Sequence, residues 1–147
     1  MKWKKSKHGQ FIPKFPEKYV GRYPILPRSS WEYSFMQWLD MNSSIIEWSS
    51  ESVTIQYYDP VYKKRRRYYP DFYMLVNKGN KEQQFIVEIK PHKEIVPPRR
   101  GRKSTSTRIY EQKTYETNTA KWNAAEVWCR KMGMRFMILT EKELFNK

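Results

Sequence analysis

The 147-residue chain predicts an α/β fold, a mixed central sheet flanked by helices in the order α-β-β-β-α-β-α. Three observations carry this prediction. Trp31, Phe35, Trp38 and Leu39 form an apolar stripe at helical spacing. Residues 53–90 hold extended runs separated by turn residues, the signature of an antiparallel meander. A second long helical pattern then precedes a short apolar run, Met134 to Leu139. A strand reached through a helical crossover pairs in parallel, so this last strand is expected beside the one spanning Gln84 to Lys90. The helices must cover the sheet to bury its apolar faces.

The elements follow in chain order. Residues 1–28 lack periodicity, are interrupted by Pro13, Pro16, Pro24 and Pro27, and read as a basic extended arm. Phe11, Ile12, Phe15 and Tyr23 are its candidates for packing on the body. Residues 29–147 are expected to form a single domain, since the length suits one core. Ser29 and Glu32 have the spacing of a capping box at the start of the first helix. Asn42-Ser43-Ser44 ends that helix, with Ile45-Ile46 leading towards the next strand. Val53 to Tyr58 alternates as a strand, Asp59-Pro60 turns, and Phe72 to Val76 and Gln84 to Lys90 flank the turn Asn77-Lys78-Gly79-Asn80. Pro91, Pro97, Pro98 and the basic run after them predict a loop over 91–107. The second helix is expected from Arg108 to Met132, capped by Thr107, with Tyr115, Ala124, Ala125, Val127, Trp128 and Cys129 on its buried side. Gly133 suits a C-terminal cap, and Thr140 caps a last short helix.

Lys and Arg number 29 against 15 Asp and Glu, a formal charge of +14. Such an excess favours a polyanionic partner. It is unevenly placed, concentrated in residues 1–28, 61–70 and 91–110, whereas residues 29–60 contain no Lys or Arg. No apolar run suits a signal peptide or a membrane span, and neither long helix is strongly basic, which disfavours a membrane partner. Cys129 is the only cysteine, so no internal disulfide or cysteine zinc cluster is expected, in keeping with a reducing cytoplasm. His8 and His92 are too isolated for zinc. Trp31, Trp38, Trp122 and Trp128 are read as core or core-edge residues.

The chemical signal is Pro70-Asp71 followed by Glu88-Ile89-Lys90. Alternation along a strand points Glu88 and Lys90 the same way and turns Ile89 into the core. The hairpin between the strands can bring Asp71 beside them. Two carboxylates and the Ile89 carbonyl oxygen suit a hard cation such as Mg²⁺, which Mn²⁺ can replace. A metal of this kind and an ammonium group together meet the needs of phosphodiester hydrolysis. An acid inside Phe85-Ile86-Val87-Glu88-Ile89 is otherwise out of place in a buried strand. Lys63, Lys64, Arg65, Arg66 and Arg67 precede Asp71 on a hairpin, and Arg99, Arg100, Arg102 and Lys103 follow Lys90. Both clusters are candidate DNA-phosphate contacts. Gln112 and Lys113 are further candidates for the cleft.

These motifs resemble the Pro-Asp…(Asp/Glu)-x-Lys nuclease superfamily, and the resemblance spans roughly residues 29–145. Ser30-x-Glu32, Leu39-Asp40, Gln56-Tyr57, Tyr69-Pro70-Asp71-Phe72, Val87-Glu88-Ile89-Lys90 and Phe136-x-Ile138-Leu139-Thr140-Glu141 are similar to the catalytic N-terminal domain of heteromeric transposase end-cleaving endonucleases and to the head-completion nucleases of large tailed phages. The resemblance implies a restriction-endonuclease-like core and a magnesium-dependent DNA endonuclease. It also implies metal-site roles for Glu32, Asp71 and Glu88, and a catalytic role for Lys90. The transposase relatives commonly carry Gln where this chain has Glu88. Phage head or packaging proteins are implied as partners, with the host cytoplasm or the virion as location, and a dimer is compatible. Glu32 retains its capping-box reading beside the metal one. The alternative function is a non-catalytic basic protein contacting DNA in a phage head or nucleoprotein assembly.

Overall fold

The computed structural model describes residues 9–145; the first eight residues of the expected arm, His8 among them, lie outside this range. The elements are α1 (Ser30–Met41), β1 (Ile45–Ser50), β2 (Ile55–Asp59), β3 (Lys64–Tyr68), β4 (Phe72–Lys78), β5 (Lys81–Ile89), α2 (His92–Ile95), α3 (Thr105–Met132), β6 (Arg135–Leu139) and α4 (Glu141–Leu144). A four-stranded mixed sheet in the order β1-β4-β5-β6 forms the centre, and β2 and β3 make a separate two-stranded ribbon. β4 pairs antiparallel with β1 on one side and β5 on the other, and β6 lies parallel to β5 with Glu88 opposite Ile138. The expected parallel partner is therefore the observed one.

Alternation along β4 and β5 divides the molecule into two layers. Phe72, Met74, Val87 and Ile89 turn to one face, where they meet Phe35, Met36 and Leu39 of α1 together with Trp48. Tyr73 and Ile86 turn to the other and meet Cys129 of α3. The ribbon packs on the same helix, with Ile55, Tyr57 and Tyr68 against Trp122 and Ala125. Each helix covers one face, as burial of a two-sided sheet requires.

Four details depart from the sequence expectations. β1 is a full strand of the central sheet, and the predicted 53–58 strand belongs to the ribbon instead. A bulge between Ile45 and Glu47 and the consecutive burial of Trp48 and Ser49 break the period-two pattern that would have announced β1. α3 starts at Thr105, because the Ser104 side chain accepts from the Thr107 N–H; Thr107 is inside the helix rather than its cap. With α2 starting at His92, the irregular connection shrinks to residues 96–104. Val127 is half exposed, and Asn118 and Trp122 take the buried side with Ala125 and Cys129. Gly133 ends α3 in the left-handed region at φ 73°, where its N–H reaches the Arg130 carbonyl.

Residues 9–28 strap across the α1 layer. Phe11, Tyr19 and Ile25 are buried in it, whereas Ile12, Phe15 and Tyr23 stay exposed. The Lys18 ammonium donates to the carbonyls of Leu39, Asp40 and Asn42 at 2.7, 2.8 and 2.9 Å, closing the C-terminal end of α1. The Asp40 carboxylate in turn accepts from the backbone N–H groups of Lys14 and Phe15. Among the described residues, no helix is long and apolar enough to cross a membrane.

Candidate active site

The hairpin register places the acids. Phe72 pairs with Val87, so the next rung sets Asp71 opposite Glu88, on the α3 face of the sheet. An Asp71 carboxylate oxygen accepts from the Ile89 N–H at 2.8 Å, which pins it across the strand end. Glu88 is only 6% exposed, and the buried Tyr68 hydroxyl donates to it at 2.7 Å. Asp71, Glu88 and Lys90 share a cleft of about 500 Å³ with Arg28, Glu51, Arg67, Tyr68, Tyr69 and Lys121.

Electrostatics in this cleft follow from burial. Removal from water pushes the Glu88 carboxyl well above the usual range, and the Asp71 charge pushes it further, against the opposing Tyr68 hydrogen bond and Lys90 charge. Burial raises Asp71 as well, while the Ile89 N–H and Lys90 pull it down. Glu32 is raised to about 7, first by burial and then by Asp71. Lys121 is lowered by burial, with Glu88 opposing. Two acids that each disfavour the other's ionisation form a site that a divalent cation would relieve. Their hard oxygen donors fit such an ion.

Glu32 sits on α1 close enough to feel Asp71 but outside the residues lining the cleft. Among the described residues, no three of His, Cys, Asp and Glu converge tightly enough to hold one ion. Ser29 does cap α1, accepting from the Glu32 N–H at 3.1 Å, while the Glu32 carboxylate is met by the Arg28 backbone.

Residues 42–141 match the family model described as TnsA-like endonuclease N terminal. The chain belongs to this endonuclease family. It is 40% identical, over 144 residues and 92% of either chain, to the head completion nuclease of Enterobacteria phage T4.

Against this endonuclease frame the basic clusters separate. Lys63, Lys64, Arg65, Arg66 and Arg67 are exposed on the ribbon, and Arg67 reaches the cleft. Arg66 is turned back onto Asp59 at 3.1 Å. Arg99, Arg100 and Lys103 instead border a second hollow with Arg108 and Gln112 at the start of α3. Lys103 is already paired with Glu111 at 2.9 Å. Arg102 and Lys113 are exposed, and neither lines the cleft. The sequence reading missed Tyr68, Lys121, Arg28 and Glu51. Lys121 reaches the cleft because α3 crosses the α3 face of the sheet, its ammonium 5.8 Å from the Tyr68 ring centre. Tyr68, three residues before Asp71, differs in no visible way from the tyrosines beside it.

Proposed function

We propose that this chain is a Mg²⁺-dependent DNA endonuclease, with Asp71 and Glu88 as metal ligands and Lys90 as the catalytic lysine. The observation carrying the proposal is the pairing of buried Glu88 with half-buried Asp71 directly across the strand, beside Lys90 in a cleft edged by Arg28, Arg67 and Lys121. Such a pair is costly for a fold that makes no use of it. Asp71, Glu88 and the Ile89 carbonyl would hold the ion, with Glu32 at the rim. Bound there, Mg²⁺ supplies the charge that makes a water nucleophilic and neutralises the phosphate. Lys90 orients that water or meets negative charge developing on the phosphoryl oxygens. Arg67 and Arg28 hold neighbouring phosphates as charge-assisted donors. Tyr68 keeps the Glu88 carboxylate in one orientation. The T4 relative's name suggests the biological setting, completion of a phage head, with head or packaging proteins as partners in the host cytoplasm.

The test is cleavage of supercoiled, linear, branched and single-stranded DNA with Mg²⁺, Mn²⁺ or EDTA. Cleavage is expected only with a divalent ion. Asp71→Asn should abolish it. Lys90→Ala should lower the single-turnover rate a hundredfold or more, about 3 kcal/mol, with DNA binding retained. Metal-independent cleavage, or a parent rate in Lys90→Ala, refutes the assignment. Binding without cleavage on every substrate would favour the non-catalytic DNA-contacting alternative.

A further inference from the structure

The β2–β3 ribbon carries two distinct faces. Ile55, Tyr57, Asp59 and Tyr68 point inwards, and Gln56 and Tyr58 point outwards. The register sets Tyr58 opposite Arg65 and Gln56 opposite Arg67, so these four share the outer face. Tyr58 is 56% exposed, Tyr62 at the turn 60%, and Tyr69 just beyond β3 47%. Tyr62 is partly occupied by the Arg66 guanidinium, 5.5 Å from its ring centre. Tyr69 and Arg67 line the cleft that holds Asp71 and Glu88. The outer face therefore continues the active-site cleft, and Tyr58 lies about 13 Å along it from Tyr69 at the spacing of extended chain.

Exposed aromatic rings alternating with arginines have a specific physical use. A ring face stacks on a nucleobase only when the base face is uncovered, and inside a duplex each face is covered by its neighbours. Unpaired bases lack that cover, and their phosphates match the surrounding cations. We propose that the outer face of this ribbon is a stacking platform for unpaired bases leaving the cleft. The preferred substrate is then a DNA duplex carrying a single-stranded extension next to the cut. This deepens the proposed endonuclease function and rests on it. Insertion of the ribbon into the major groove of intact duplex is the competing arrangement, and it predicts no preference for an unpaired tail.

The experiment compares a blunt duplex with the same duplex bearing an unpaired 5′ or 3′ extension. Binding is measured by fluorescence anisotropy in EDTA, for the parent and for Tyr58→Ala/Tyr69→Ala and Tyr58→Phe/Tyr69→Phe. The parent should bind one of the tailed duplexes about tenfold or more tighter than the blunt one. The ratio should fall towards one in the alanine variant and persist in the phenylalanine variant, which keeps the rings. A parent ratio near one, or a ratio unchanged by alanine, overturns the platform. Cleavage by the parent with Mg²⁺ or Mn²⁺, on the tailed duplexes and on supercoiled DNA, reports separately on the endonuclease assignment. Tail preference in binding without cleavage of any of these substrates would leave the platform standing and remove the nuclease.

Discussion

Tyr68→Phe removes one oxygen atom from the molecule and isolates the tie between the ribbon and the acid pair. The Tyr68 hydroxyl is buried and donates to Glu88 at 2.7 Å. Burial favours the neutral form of Glu88 in the metal-free protein, so the bond joins two uncharged groups and contributes about 0.5–1.5 kcal/mol. For a chain of this size that corresponds to a fall in Tm of about 1–6 °C. The functional effect has a different origin. Tyr68 is an outer partner of a proposed metal ligand, and losing such a partner typically costs about 10–100-fold in metal affinity or activity. The half-saturating Mg²⁺ concentration should therefore rise, measured by single-turnover cleavage across a Mg²⁺ titration and by calorimetric Mn²⁺ binding without DNA. Tyr73→Phe is the control. Tyr73 is also buried, and its hydroxyl donates to Glu47 at 2.8 Å on the same sheet, outside the cleft. It should lose stability without a change in metal dependence. Equal metal dependence in parent and Tyr68→Phe, or an equal shift in both variants, refutes the positioning role.

Three further outcomes are expected. Asp59 is fully buried and accepts from the Val61 and Tyr62 N–H groups, Arg66 and Thr117, tying the ribbon turn to α3; Asp59→Ala should cost about 2–3 kcal/mol in urea unfolding, less than a fully buried ion pair because Arg66 reaches water. Neutralising 63–67 or 99–103 should lower the slope of log affinity against log salt by roughly 1 per lost phosphate contact, with Arg66 and Lys103 contributing least because each already has a partner; an unchanged slope removes that cluster from the interface. Glu32 has its pKa raised from 4.5 to about 7, so the native state holds a proton that the unfolded chain releases across that window. The metal-free protein should therefore lose stability as pH rises from about 4.5 to 7, and Glu32→Gln should flatten the fall in Tm. A parent-like slope in that variant would contradict the assigned environment.

The site was more legible than the sheet around it. An acid among apolar strand residues and a lysine two positions on are local signals, and the hairpin register sets Asp71 opposite that acid. The ribbon and β1 were misread for a reason of range. β2 alternates cleanly, yet alternation reports which residues turn inwards and not which sheet receives them. β1 alternates poorly because of its bulge, although it is the edge strand of the central sheet. Lys121 could not be found by spacing, since it reaches Tyr68 only through the path of a 28-residue helix. Tyr19 and Ile25 were hidden among prolines, where burial leaves no periodic trace.

The strap over α1 bears on where this protein can be cut. The segment matched by the family model begins at residue 42, beyond both the strap and α1. A chain started there would lose Phe11, Tyr19, Ile25, Phe35, Met36 and Leu39, which cover Trp48, Phe72 and Val87. It would also expose one whole face of a four-stranded sheet to water. Asp71, Glu88, Ile89 and Lys90 would all be kept and Glu32 lost, yet such a fragment should collapse or aggregate before reaching its substrate. In this chain the segment that identifies the family is shorter than the unit whose core is closed.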